Sequence, residues 1–503
     1  MRTLKLYGLV FLLSITNLFA QQKEPDLSVV REEMDQLVAN GALKSVSVSI
    51  SRGGKTVYSA AVGTARQGDS GTATPFTPYQ IASVTKPFTA TGIMLLASQN
   101  KIDIDDPFTT YLPDYNIKKV DSTYHTPTIR ELLSHTAGLG TYFYVTPEHE
   151  KQISFEDSWK HFGTQFEEPG TVYEYSNLGY ALLSEIIEEV SGLSYAQFMK
   201  KEIFQALEMK NSFVIDPQED YSNTAVKSIN DKFIDGELYN NTEGAGNIYS
   251  TTEDLLKFGN FHLGLTNEFP ALSEEQLMQM HTYKNPDVFY HYYKDTFYGL
   301  GWYASSDNSG SPIYWHEGGT AGASAMLFIV PDREIVISIT SNTFNSAIMQ
   351  QLTKTALSEF GVKLNEGIFN PIANYKDIAA NSELIGKWSG SLQIGETDIP
   401  VDLLIEEDDI YFNYLDHTVV SHTMPQPLFI KTGFLFMMVN NNRIIGSVVG
   451  NLPKGELPES RNLLNIKFIK EGNKLKGFLT AFPLGGELHY AFPYYLELTK
   501  SQN

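Results

Sequence analysis

The sequence predicts an α/β domain followed by an all-β domain. Strand-like segments near both ends of residues 25–362 enclose a long middle section that is mainly helical. After residue 384, short runs of alternating apolar and polar residues, separated by Gly, Asn and Pro, are typical of a β-sandwich or β-barrel. We therefore expect one sheet that is closed by both ends of the first domain, and a second, separate β structure behind it.

The elements of the first domain follow from hydrophobic periodicity and from turn residues. Leu27, Val30 and Met34 recur at helical spacing, whereas the segments 45–50 and 56–62 alternate around a Gly-Gly turn. A second hairpin turns at Pro331-Asp332-Arg333. The predicted elements are helices at 27–38, 178–191, 252–261 and 346–360, and strands at 45–50, 56–62, 325–330 and 335–340.

The second domain is predicted at residues 384–500, after a linker at 363–383. Its predicted strands lie at 387–394, 399–405, 410–414, 434–439, 465–468 and 494–498. Three roles remain open for this domain: a lid that restricts substrate size, an oligomerisation surface, or a glycan-binding module. The sequence does not give the oligomeric state.

Residues 1–20 have the layout of a secretory signal peptide. Arg2 and Lys5 precede the mostly apolar segment 6–19, and Ala20 occupies the expected cleavage site. The apolar segment is shorter than the roughly 20 residues of a membrane-spanning helix. We therefore expect an exported protein, periplasmic or secreted, without a membrane span.

Composition excludes several functional classes. The 503 residues include no cysteine, which rules out disulfides, Cys-ligated metals and thiol catalysis. The formal net charge of −22 opposes binding to nucleic acid, and no basic cluster offsets it. The 11 histidines show no close metal-binding spacing, so we expect no metal and no other cofactor.

The first chemical signal is Ser83 with Lys86, at the start of a long apolar run. On a helix, residues three apart lie on one face, and a serine at the helix N-terminus has free backbone N–H groups beside its oxygen. A neighbouring lysine can take the hydroxyl proton if its pKa is lowered. The pattern alone is weak, because Ser98 and Lys101 repeat it at a predicted helix end.

Two further motifs follow in the chain. Tyr175-Ser176-Asn177 precedes a predicted helix, and His316-Glu317-Gly318-Gly319 leads into the second hairpin. Tyr-x-Asn and His-x-Gly each recur elsewhere, so neither tripeptide is decisive by itself. Their order, setting and combination carry the information.

With these motifs together, residues 25–360 resemble the serine β-lactamase-like hydrolases, which include class C β-lactamases, penicillin-binding DD-peptidases, D-aminopeptidases and esterases. The phrases at 128–139, 245–255 and 298–302 are also similar to family phrases, in the family's order. The resemblance implies a β-lactamase/transpeptidase-like fold, with an antiparallel sheet flanked by helices and a helical subdomain. The C-terminal region is similar to the lipocalin-like barrels that some members carry.

The resemblance also implies residue roles. Ser83 would be the acylated nucleophile, Lys86 its proton partner, and Tyr175 a general base whose pKa the Lys86 cation would have to lower. Asn177 would bind the substrate amide or Lys86. The backbone N–H groups of Ser83 and Gly319 would form the oxyanion hole, where Gly318 and Gly319 leave room for substrate.

His316 stands where the β-lactamases place a lysine. A mostly neutral imidazole would hold a substrate carboxylate less well than an ammonium group does. We therefore expect a small-molecule ester, amide or peptide substrate, cleaved by an esterase or D-amino-acid peptidase activity. The alternatives are a β-lactamase or DD-carboxypeptidase proper, and a non-catalytic ligand-binding protein. For His135, a structural hydrogen-bonding role is favoured over catalysis.

Overall fold

The computed structural model describes residues 25–501 with several gaps. These gaps are 69–70, 148–149, 151, 217–220, 235, 267–271, 286–287, 289–295, 370–375, 378–382, 395–396, 407–408, 415–416, 423–435, 441–442, 451–461 and 484–489. The predicted signal peptide, part of the linker and the first two residues of the strand predicted at 434–439 lie outside the described residues. The export, localisation and domain boundaries inferred from the sequence stay predictions.

The helices flank a central sheet. They are α1 (Ser28–Ala39), α2 (Thr85–Ser98), α3 (Ile129–Leu133), α4 (Phe155–Phe162), α5 (Asn177–Ser191), α6 (Tyr195–Phe198), α7 (Glu243–Gly246), α8 (Thr252–His262), α9 (Glu274–Thr282) and α10 (Ser346–Glu359). Short 3₁₀ turns lie at Ala82–Val84, Phe108–Thr110, Tyr221–Asn223 and Pro331–Arg333, and a π-helical segment spans Met199–Phe204. Among the described residues, no helix is long and apolar enough to span a bilayer.

Both ends of the first region contribute to the same antiparallel sheet. Its first strand, Ser45–Arg52, pairs directly with its last, Ile335–Ser341. This confirms the predicted closure of the sheet. The full order of the sheet is Phe297–Tyr298, Tyr303–Ser306, Pro312–Thr320, Ala323–Val330, Ile335–Ser341, Ser45–Arg52 and Lys55–Gly63. In chain order, the strands of this region are β1 (Ser45–Arg52), β2 (Lys55–Gly63), β3 (Tyr79–Gln80), β4 (Lys118–Lys119), β5 (Phe143–Pro147), β6 (Thr164–Gln165), β7 (Phe213–Val214), β8 (Ser228–Ile229), β9 (Lys232–Phe233), β10 (Leu238–Asn240), β11 (Ile248–Ser250), β12 (Phe297–Tyr298), β13 (Tyr303–Ser306), β14 (Pro312–Thr320), β15 (Ala323–Val330) and β16 (Ile335–Ser341).

The two faces of strand β1 explain the layering of this sheet. Val46, Val48 and Ile50 are fully buried in an apolar cluster with α1 and α10. The alternating serines of the same strand face α8, where Ser47 and Ser49 hydrogen-bond with the Thr252 hydroxyl. A period of two therefore places an apolar surface on one side and a hydrogen-bonding surface on the other. Helix α2 lies beyond, in a second large core.

The C-terminal region is all-β, as predicted. Its strands are β17 (Lys376–Asp377), β18 (Gly386–Ile394), β19 (Thr397–Ile405), β20 (Asp409–Tyr414), β21 (His417–His422), β22 (Phe436–Asn440), β23 (Arg443–Gly450), β24 (Asn462–Glu471), β25 (Lys474–Pro483) and β26 (Tyr490–Lys500). They form one antiparallel sheet in the order β17-β22-β23-β24-β25-β26-β18-β19-β20-β21. The sheet curls, since β21 lies against β23. The sequence did not predict β21, β23 and β25 as separate strands.

The two regions are in direct contact. Strand β26 pairs with β5 at its first residues, Tyr490 opposite Tyr144 and Ala491 opposite Phe143. The C-terminal sheet therefore joins the first region through a backbone ladder as well as through side chains.

Candidate active site

Ser83 lies in the 3₁₀ turn that runs directly into helix α2. The preceding residue, Ala82, has φ +46°, a left-handed conformation that costs a non-glycine residue about 1–3 kcal/mol. This strained turn presents the partly buried serine at the beginning of the helix, beside backbone N–H groups that no earlier helical turn satisfies. The predicted placement of Ser83 at a helix N-terminus is found.

Lys86 is fully buried one turn further on, and its Nζ has three polar neighbours. It lies 3.1 Å from Ser83 Oγ, 2.6 Å from Asn177 Oδ1 and 3.0 Å from the Ala245 carbonyl oxygen. Burial lowers the pKa of Lys86 well below its ordinary value. A neutral amine has two N–H groups and one lone pair; because Asn177 Oδ1 and Ala245 O can only accept, the lone pair is left for the Ser83 hydroxyl.

The second motif meets the first at the N-terminus of helix α5. Ser176 caps that helix by accepting a hydrogen bond from the Gly179 N–H, which places Asn177 in its first turn. Asn177 Nδ2 donates to Thr141 Oγ1 at 3.3 Å, while its Oδ1 accepts from Lys86. Of the two expected partners of Asn177, Lys86 is the one observed.

Tyr175 completes the group around Ser83. Its hydroxyl hydrogen-bonds with the Ser83 side chain, and Lys86 Nζ lies 4.6 Å from the centre of its ring. Burial raises the pKa of Tyr175, with the Ser83 hydrogen bond opposing the rise. The expectation that Lys86 lowers the pKa of Tyr175 is therefore wrong, because burial moves both groups towards their neutral forms.

His316 is buried on strand β14, within 6.4 Å of the Tyr175 ring, measured between ring centres. Its Nδ1–H donates to the Glu317 carbonyl oxygen at 2.7 Å, and its Nε2 accepts from the Tyr298 hydroxyl at 2.9 Å. Burial, together with the nearby Lys86, lowers the pKa of His316 to about 3. The imidazole is therefore neutral at physiological pH, as the sequence predicts.

The two glycines after His316 bring strand β14 against the Ser83 turn. A Cβ at Gly318 would lie 2.0 Å from the Ile81 carbonyl oxygen and 3.3 Å from the Ser83 nitrogen. A Cβ at Gly319 would instead meet the Phe344 ring at 2.5 Å. Only a residue without a side chain can lie this close to the Ile81 carbonyl oxygen. The close contact at Gly318 brings the backbone of the Gly-Gly pair next to the Ser83 N–H.

Sequence reasoning undervalued two residues in this site. His135, buried with φ +57°, accepts the Ser176 N–H at its Nδ1, and its ring lies 4.3 Å from that of Tyr175. The hydrogen bond is the structural role expected of it, but nothing in the sequence placed it beside Tyr175. Tyr298 belonged to a recognised phrase, yet no local pattern could indicate that its hydroxyl meets His316 from another strand.

This geometry joins a serine hydroxyl, a deprotonatable amine and a protonated tyrosine next to close-packed backbone N–H groups. Such an arrangement suits nucleophilic acyl transfer. Among the residues that the structure describes, no group of three or more His, Cys, Asp or Glu side chains could hold a metal ion.

The Beta-lactamase family profile matches residues 30–358, and the chain belongs to this family, a group of serine hydrolases that share the β-lactamase/transpeptidase-like fold. Among curated proteins, it is 27% identical over 339 residues to Penicillin-binding protein 4* of Bacillus subtilis. That alignment covers 62% of this chain and 71% of the relative.

Two solved structures show how far the fold extends. The D-amino acid amidase of Ochrobactrum anthropi SV3, complexed with D-phenylalanine, superposes with a TM-score of 0.55 and 23% identity, over 66% of this chain and 98% of its own. SurE with D-Leu superposes with a TM-score of 0.64 and 21% identity, over 92% of this chain and 98% of its own. The likeness to SurE therefore includes the C-terminal β region.

Proposed function

We propose that this protein hydrolyses a small amide, ester or peptide through an acyl-enzyme on Ser83, with an acyl group that needs no free carboxylate beside the scissile bond. The observation that carries the proposal is the contact of Ser83 Oγ with the buried Lys86 Nζ, whose two N–H groups have separate acceptors. A general base must be within reach of the proton that it takes, as Lys86 Nζ is, and the burial that lowers the pKa of Lys86 favours the unprotonated amine that a base must be.

In the acylation step, Ser83 Oγ attacks the substrate carbonyl carbon while Lys86 Nζ takes the hydroxyl proton. The carbonyl oxygen becomes an oxyanion between the backbone N–H groups of Ser83 and Gly319. When the bond to the leaving group breaks, the leaving amine or alkoxide takes a proton from the Lys86–Tyr175 pair. Because Tyr175 keeps its proton at neutral pH, we assign it the donor role rather than the base role.

Deacylation repeats these transfers with water. The water loses its proton to Lys86 as its oxygen attacks the acyl carbon, and Ser83 Oγ regains a proton as the acid leaves. Asn177 keeps Lys86 oriented through both steps, since its Oδ1 accepts one of the lysine N–H groups at 2.6 Å. The oxyanion site therefore stabilises a negative charge twice in each turnover, once in acylation and once in deacylation.

The substrate class follows from the neutral His316. Its Nε2 is already occupied by the Tyr298 hydroxyl, and its Nδ1–H is donated to a backbone carbonyl. His316 therefore supplies neither a positive charge nor a free donor to a substrate carboxylate, which β-lactams and stem peptides present. The name of the D-amino acid amidase and the D-Leu of the SurE structure favour an acyl group derived from a D-amino acid, although the same amidase is also seen with L-phenylalanine.

Intact-protein mass spectrometry tests this proposal. The protein and its Ser83→Ala variant are exposed briefly to a p-nitrophenyl ester, to the p-nitroanilides of D- and L-phenylalanine, and to a penicillin. We expect a Ser83-dependent adduct or product with the ester and the D-anilide, and slow or undetectable turnover of penicillin. Efficient penicillin turnover at low concentration would instead support a β-lactamase, and no reaction with any probe would support a ligand-binding protein.

A further inference from the structure

We propose that Lys467, in the C-terminal β region, is a positioning residue for Tyr175 and acts through an ion pair with Glu174. The proposal rests on the function proposed above, because it concerns how that site keeps its geometry. It assigns the C-terminal sheet a part in the reaction, in addition to the lid, oligomerisation and glycan-binding roles that stay open.

The first observation is the ion pair itself. The Nζ atom of Lys467, on strand β24, contacts the Oε2 atom of Glu174. Glu174 is the residue directly before Tyr175. The two side chains are only 11% and 6% exposed, whereas the next ion pair along the strand, Lys470 with Glu383, is 19% and 73% exposed. A buried pair that loses one member leaves an uncompensated charge, which costs far more than breaking a surface pair.

The second observation is that the backbone is held on both sides of Tyr175. The Glu174 N–H donates to the His135 carbonyl oxygen at 2.8 Å, and the Ser176 N–H donates to His135 Nδ1 at 3.1 Å. Ser176 Oγ donates to the Gly140 carbonyl oxygen at 3.0 Å. The backbone around Tyr175 is therefore fixed by His135 and Gly140, and the Glu174 side chain adds a direct link from the residue before Tyr175 to the C-terminal sheet.

The third observation is that the C-terminal sheet packs against the same loops at other points. The Phe478 ring stacks on Phe166 with 4.8 Å between ring centres. A Cβ at Gly140 would lie 2.7 Å from the Pro493 side chain, so the two segments are in close contact. Lys467 is thus the charged member of a broad contact between the C-terminal sheet and the loops that carry Tyr175.

The physical consequence is an effect on rate more than on substrate binding. A shift of about 1 Å in a reacting group can cost roughly a hundredfold in rate. The ion pair connects Lys467 to the site through Glu174, which directly precedes Tyr175. We therefore expect its loss to lower kcat and to leave KM nearly unchanged.

The experiment uses the full-length protein and four variants. Lys467→Met and Glu174→Gln each remove one partner of the ion pair, the double variant removes both charges, and Lys470→Met is the matched control on the same strand. The readouts are kcat and KM for the p-nitroanilide of D-phenylalanine, whose leaving nitrogen must receive a proton, the fraction of molecules whose Ser83 reacts with a fluorophosphonate, and Tm. Normalising kcat to the reactive fraction separates a misplaced tyrosine from an unfolded protein.

We expect each single variant to lower the normalised kcat by about tenfold to a hundredfold, with the double variant recovering part of the loss and Lys470→Met matching the wild type. Single variants with wild-type normalised kcat, or a double variant worse than the sum of the singles, would overturn the proposal.

A second measurement does not depend on the reaction at Ser83. Nitration of Tyr175 by tetranitromethane, mapped by peptide mass spectrometry, reports how firmly that side chain is held. We expect faster nitration of Tyr175 in both single variants than in the wild type and Lys470→Met. Equal rates in all variants would reject the positioning role, while an unreactive Ser83 in the wild type would reject the proposed function alone.

Discussion

Replacing Lys86 with methionine removes the amine that contacts Ser83, Asn177 and Ala245 while keeping a side chain of similar length. If Lys86 is the base, the variant loses the contribution of general base catalysis, which is about 10²–10⁴-fold in rate. We therefore expect Ser83 to react with a fluorophosphonate at least a hundredfold more slowly in Lys86→Met than in the wild type.

The effect on stability is smaller because two contributions oppose each other. The Asn177 Oδ1 and Ala245 O acceptors lose a donor, at about 1–3 kcal/mol each. The variant also escapes the cost of burying the amine, about 1.4 kcal/mol for each unit by which the pKa of Lys86 is lowered. We expect the free energy of unfolding to change by no more than a few kcal/mol, so the folded variant remains testable.

The pH dependence gives an independent check on the same group. Burial lowers the pKa of Lys86 from 10.5, so the unfolded chain binds a proton that the folded chain has released. The free energy of unfolding should therefore rise with pH between the lowered pKa and 10.5, and this rise should be absent in Lys86→Met. The reaction rate of wild-type Ser83 should rise through the lowered pKa and then level off.

The assay is a time course of adduct formation by intact mass at several pH values, with urea unfolding on the same samples. Lys101→Met is the matched control, because Lys101 belongs to the second Ser-x-x-Lys pattern and is exposed at the end of helix α2. Wild-type reactivity in Lys86→Met, or a loss of similar size in Lys101→Met, would refute the assignment of the base.

Three further predictions concern strand β14 and Tyr298, the hydrogen-bond partner of His316 on strand β12. Gly318→Ala should abolish the reaction of Ser83, because its Cβ would meet the Ile81 carbonyl oxygen at 2.0 Å. Gly319→Ala should keep measurable reactivity, since its Cβ meets only the Phe344 ring, which can move. Equal losses of adduct formation in the two variants would contradict this reasoning. Tyr298→Phe should lower the free energy of unfolding by about 1–3 kcal/mol in urea titrations, because it leaves the buried His316 Nε2 without its donor, and an unchanged value would count against that hydrogen bond. Burial lowers the pKa of His316 to about 3, so the unfolded chain binds a proton below pH 6.5 that the folded chain does not bind. The free energy of unfolding of the wild type should therefore fall, relative to that of His316→Asn, by about 1.4 kcal/mol for each pH unit below 6.5. Parallel stability curves of the two proteins from about pH 7 to 5 would refute the lowered pKa.

Burial favours the neutral forms of the titratable groups around Ser83. Burial moves Lys86, Tyr175 and His316 towards their uncharged forms, although they are close neighbours. In such a site the reaction creates a negative charge on the oxyanion while Lys86 becomes positively charged, and fixed backbone N–H groups stabilise the oxyanion most effectively where water is excluded. The same stabilisation of the oxyanion applies to any ester or amide substrate.

Local patterns in the sequence were sufficient for several of the long elements of the first region. Helix α10 and the hairpin of β15 and β16 follow from periodicity and from the turn at 331–333, and each was predicted within a few residues of its observed bounds. In the C-terminal region, strand β25 was missed because it lies in a long hairpin whose apolar residues do not alternate cleanly. Its assignment depends on pairing with β24 and β26, which no single segment reveals.

The sequence by itself determined the family, the all-β character of the C-terminal region and the residues that we propose for the chemistry, because these depend on short-range spacing and on residue type. Only the tertiary structure decided the protonation states, since a pKa depends on burial by elements far apart in the chain. It also decided that His135 and Tyr298 support Tyr175 and His316, and that Lys467 reaches Glu174 across 293 residues of sequence. Contacts of this kind arise from packing between distant segments, and no local pattern encodes them.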